Sequence, residues 1–98
     1  MPSNIHMSLV RSLEFQISQM KELDIDLEIY LTTKSSEIFK KDLADHKAHY
    51  DNMPFSEMIE LEKKENPSIW NSVESDVQEE IIYLAANLDK ACRCAPIF

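Results

Sequence analysis

The residues of this chain best suited to chemistry are His46 and His49, with Asp42 four before the first and Asp45 four before the second. On a helix, residues three or four apart occupy neighbouring faces, so the four side chains would bring nitrogen and oxygen donors side by side. Zinc accepts donors of these kinds. The same spacing also describes a solvated helix face of Asp–His pairs, and no further ligand stands at a zinc-site spacing. The expectation is therefore no bound metal, with His46 and His49 as the weak candidates. Cys92 and Cys94 flank Arg93. Two apart on a helix, their side chains diverge by about 200°, which suits neither a disulfide nor one shared ion, and Cys92 reads as a small apolar residue on a helix seam. The histidines and hydroxyl residues form no nucleophile–base constellation. The chain is expected to be no enzyme and to carry no cofactor.

The 98 residues include no glycine, where average usage would supply about seven. Phosphate-binding loops, dinucleotide fingerprints and nucleophile elbows all need glycine at fixed positions, so these classes are excluded. Tight two-residue hairpins lose their best turn residue as well. Eighteen acidic against ten basic residues give a net charge of −8. A field of that sign disfavours nucleic acid and anionic membranes and favours a basic partner surface, besides keeping a small domain soluble. The first ten residues lack a basic, then apolar, leader, and no stretch approaches the length of a membrane span. A cytoplasmic, reduced setting is the expectation.

The chain has the length of one domain, 1–98. Ile5, Leu9, Leu13, Ile17, Met20, Leu23, Leu27 and Leu31 recur at spacings of three and four, which predicts a long helix from about Ser3 to Leu31, with a break near Lys21 as a variant. Two runs of strict alternation, 13–18 and 24–32, also allow a hairpin and hence an α+β fold, but no turn residue joins them. Ser35 or Ser36 can cap a second helix carrying Ile38, Phe39, Leu43, His46 and Tyr50 and ending near Asp51–Asn52. Pro54 suits the first turn of a third, with Phe55, Met58, Ile59 and Glu62 along one side, stopping by Asn66 before Pro67. From Pro67 the series Trp70, Val73, Val77, Ile81, Leu84, Leu88 and Ala91 predicts a last helix of about 25 residues, with Ser75 and Gln78 as a later start. The expected fold is all-α, a small antiparallel bundle of about four helices.

Within these elements, Asp24, Asp26 and Glu28 form the densest acidic run not balanced by lysine; on a continuous helix Asp24 and Glu28 would share a face. Phe15, Ile25 and Ile29, with Met7, fall opposite the main apolar stripe. A helix apolar on two sides needs two partners, the second being another protein or a further copy of this chain. Trp70 sits just after Pro67 at a helix start, as either core or contact residue. Asn66–Pro67 lies in an expected turn where a prolyl isomerase could act. Phe15, Asp24, Ile25, Asp26, Glu28, Ile29, Pro67 and Trp70 are the candidate partner-binding residues.

Size, acidity, helical patterning and the lack of a catalytic constellation resemble the small anti-RecBCD proteins of lambdoid phages, across the whole chain and including the turn Asn66-Pro67-Ser68-Ile69-Trp70 and the tail Cys92-Arg93-Cys94-Ala95-Pro96. The resemblance implies an inhibitor or modulator that binds a host nuclease–helicase such as RecBCD in the bacterial cytoplasm and has no chemistry of its own. Two other readings stand beside it: an acidic DNA mimic that competes for a nucleic-acid channel, and a self-associating regulatory bundle, as a homodimer.

Overall fold

The computed structural model describes residues 8–94, and side chains as far as Lys90. Among the described residues there is no strand. Six α-helices follow one another: α1 Leu9–Leu23, α2 Leu27–Tyr30, α3 Glu37–His49, α4 Phe55–Glu65, α5 Pro67–Asn71 and α6 Ser75–Cys94, with a 3₁₀ turn at Lys34–Ser36. The all-α expectation holds, and no hairpin forms at 13–18 and 24–32.

The main apolar stripe places Leu9, Leu13 and Ile17 of α1 in the core. They meet Phe39 and Leu43 of α3, Phe55, Met58 and Ile59 of α4, and Ile81, Leu84, Ala85 and Leu88 of α6. The α4 register Phe55, Met58, Ile59, Glu62 is buried as its spacing requires. Ile38 departs from its expected place: it is 83% exposed, while its neighbour Phe39 is buried and packs on the Tyr30 ring.

Both long predicted helices are broken. The first ends at Leu23, where Asp24 takes a left-handed φ of 56°. Its N–H donates to the Lys21 carbonyl and that of Ile25 to the Met20 carbonyl, the two bonds of a Schellman termination. Met20 and Ile25, the two positions that flank this termination, both pack against the core. Glycine usually fills the left-handed position; here aspartate does. The end of α3 repeats the device, with Asp51 and Asn52 at φ 56° and 63° and the Asn52 N–H bonded to the Lys47 carbonyl at 2.7 Å. The last predicted helix is interrupted over 72–74, between α5 and α6. The Gln78 side chain, expected in a capping box, instead donates to the Trp70 carbonyl across this break.

Carboxylates from neighbouring helices close the N-termini of α1, where the Ser8 hydroxyl also caps the Arg11 N–H, and of α4. Glu62, buried at 4% exposure, accepts from Ser8 Oγ at 2.6 Å, the Leu9 N–H at 2.7 Å and the Val10 N–H at 3.2 Å. Asp89 of α6 accepts from the Phe55 and Ser56 N–H groups at 2.6 and 3.1 Å and from Ser56 Oγ at 2.8 Å. Pro54 has no side-chain cap of its own to offer α4. The first N–H groups of a helix have no intrahelical acceptor and carry partial positive charge, so an anion there is stabilising. Asp89 thus joins the later part of α6 to the start of α4. Lys21 of α1 bonds Glu80 of α6, and Arg11 bonds Ser72 in the break before α6.

Replacing Glu62 by Ala strands two backbone donors and a hydroxyl, and is expected to cost about 2–3 kcal/mol of unfolding free energy, measured by urea denaturation. A loss below about 0.5 kcal/mol would show that the cap is incidental. Asp24→Gly, which removes the Cβ from a left-handed site, is expected to stabilise by roughly 0.5–1 kcal/mol in the same assay, after allowing for the greater freedom of the unfolded chain.

Candidate functional site

The predicted contact residues lie on α1, in the link from α1 to α2, on α2 and on α5, and the structure divides them. Phe15 is two residues from both Leu13 and Ile17, so it points away from the core and is 59% exposed. Ile29, in the short α2, is 53% exposed, and Glu28 beside it is exposed too. Ile25 is half-buried against the core, just past the end of α1.

Asp24 and Asp26 are exposed but have local backbone roles. Asp24 occupies the left-handed end of α1, and Asp26 Oδ1 accepts the Ile29 N–H at 3.0 Å as the cap of α2. The helix is therefore broken between Asp24 and Glu28, which lies in α2, and the two do not form the shared face of one continuous helix. Pro67 is exposed at the first position of α5, in a trans peptide. Trp70 is half-buried against the core, with Lys63 Nζ 5.0 Å from its ring centroid, a cation–π placement that shields it further.

The two histidines part company. His46 is fully buried, its Nε2 3.5 Å from Asp42 Oδ2. Asp42 also accepts the Ser12 hydroxyl and so ties α3 to α1. His49 is exposed and meets the Tyr50 ring edge-on at 4.8 Å. Among the described residues, no three His, Cys, Asp or Glu side chains gather where they could share a metal ion. Met7 and the side chains of Cys92 and Cys94 lie outside the described residues. No described helix is long and apolar enough to cross a membrane.

Sequence reasoning noted Glu62 on the α4 stripe without assigning it a partner, and passed over Asp89 and Gln16. The signal for Glu62 was a carboxylate in an apolar register, which must be buried with donors or not at all. Gln16 gave none: it is buried on α1, and its Oε1 accepts the hydroxyl of buried Tyr30. Exposed Tyr83 on α6 was also passed over, because it lies off that helix's apolar seam.

No protein-family description matches the chain, and comparison with curated proteins and with solved structures finds no match either.

Burial raises the Tyr30 phenol above its ordinary value. Burial raises Tyr50 as well, assisted by the negative charges of Glu62 and Glu65. Both phenols are neutral in the fold and ionise more easily when unfolded. Their contribution is fully present below the unfolded value, about 10, and is lost as pH rises through the folded one. Unfolding free energy is expected to fall as pH rises above about 10, and Tyr50→Phe to flatten that fall; an unchanged slope in the variant would remove Tyr50 from the account.

Proposed function

We propose that this chain is a non-enzymatic protein-binding module, a small helical inhibitor or modulator of a larger host protein. The observation that carries the reading is the placement of Phe15 and Ile29: both are large, apolar and exposed on helices whose other faces are already packed. Single exposed apolar residues are ordinary, but large apolar side chains without an intramolecular role are the usual anchors of an interface. The four longer helices, α1, α3, α4 and α6, act as the frame of a bundle that presents these residues on fixed supports, with α4 and α6 antiparallel.

The resemblance to anti-RecBCD proteins supports a host nuclease–helicase as the partner. The backbone roles of Asp24 and Asp26 favour this reading over DNA mimicry, since two of the three carboxylates in the acidic run are spent on helix ends.

The test is binding of the full chain to purified RecBCD, with its nuclease activity followed in parallel. The double variant Phe15→Ala/Ile29→Ala is expected to bind at least about tenfold more weakly and to lose inhibition in proportion. Binding that collapses with salt yet ignores both substitutions would identify a mimic instead. No binding at micromolar concentration would remove this partner.

A further inference from the structure

The charge of the chain is strongly lopsided. Residues 9–31 and 72–80 hold nine of the eighteen acidic side chains and only Arg11 and Lys21 as cations; the other nine acids stand against eight cations. Nearly all of the net −8 therefore belongs to α1, α2 and the first half of α6. Both cations there are already engaged, Arg11 with Glu14 at 2.9 Å and with Ser72 at 2.8 Å, and Lys21 with Glu80 at 2.9 Å. The Lys21–Glu80 bond also joins α1 to α6.

Each of these two helices raises an aromatic ring away from its own buried side. Phe15 stands opposite Leu13 and Ile17 on α1, and Tyr83 stands opposite Ile81 and Ala85 on α6, 74% exposed. Exposed Glu22, Asp76 and Glu79 lie on the same outward sides.

We infer that the outward face of α1 and α6 is a docking surface for a basic amphipathic helix of a partner protein. Charge complementarity selects the occupant. A second copy would oppose the same negative face to itself, and a nucleic acid or anionic membrane would be repelled. The two rings supply apolar anchors, and the carboxylates around them match lysine or arginine on the partner's polar flank. The inference rests on the protein-binding reading above and specifies the partner's chemistry.

The probe is a synthetic 18-residue amphipathic helix of leucine and lysine (a length of about five turns), labelled for fluorescence anisotropy and mixed with the full chain. Phe15→Ala/Tyr83→Ala is expected to weaken binding at least about tenfold through faster dissociation. Glu22→Lys/Glu79→Lys is expected to slow association by a similar factor. Ile38→Ala, on α3 outside the acidic half, should change the affinity by less than about twofold. All five positions are exposed, so these variants keep the core, and circular dichroism checks that they do. A leucine–glutamate peptide that bound equally well would overturn the inference, as would Ile38→Ala weakening binding as much as the aromatic pair. If RecBCD is not bound but the peptide results hold, the partner named above falls and this surface stands; if RecBCD binding needs Phe15 and Ile29 while the peptide ignores Phe15 and Tyr83, the reverse is true.

Discussion

A single buried carboxylate holds the helices in register. Glu62 lies on the apolar side of α4, where a charge without partners would be costly. It is tolerated because the start of α1 delivers two backbone N–H groups and the Ser8 hydroxyl to its two oxygens. The dependence is mutual: α1 needs an acceptor for its first donors, and Glu62 needs donors in a site closed to water. Apolar packing alone is non-directional and tolerates sliding of one helix along another. Three hydrogen bonds to one carboxylate do not, so they set the axial offset of α1 against α4. Asp89 does the same for α4 against α6, and Asp42 ties α1 to α3 through Ser12.

The same residue type solves a second problem. A chain without glycine must still end its helices, and the left-handed residue at such an end is usually glycine. Asp24, Asp51 and Asn52 take that conformation, the short polar side chains best able to do so after glycine. The strongly acidic composition thus has two components. One part is consumed at helix ends and inside the fold, and the other stands on the outer side of α1 and α6, next to Phe15 and Tyr83. The two halves of the molecule differ in charge because the cations of α3 and α4 fall among their own acids, whereas those of α1 are few and already paired. The proposed function depends on this second component and on the exposed rings beside it.

The helix seams were legible wherever apolar residues recur at spacings of three and four, as in Phe55, Met58, Ile59 and Glu62, or Ile81, Leu84 and Leu88. Pro54 and Pro67 marked helix starts because a residue without an N–H costs nothing there. The breaks were legible only as variants, near Lys21 and before Ser75, and α1 ends at Leu23 and α6 starts at Ser75; periodicity continues through both, and the cause lies in where the chain must turn to pack. Ile38 shows the converse: an apolar residue beside a seam, left outside because Phe39 fills the place against Tyr30. Of the expected contact residues, Phe15 and Ile29 are free of the core, while Ile25 and Trp70 are drawn toward it, a division that depends on helix rotation by a fraction of a turn.

Composition and spacing by themselves determined that this chain is helical, that it lacks phosphate loops and strained catalytic turns, and which stripes enter the core. Those outcomes follow from local sterics and from the period of a helix, which a linear string carries in full. Tertiary structure alone decided that His46 is buried beside Asp42 while His49 faces outward, and that Glu62 and Asp89 cap helices 53 and 34 residues away. These are properties of pairs of distant residues, and their partners are chosen only when the helices acquire a common offset and rotation.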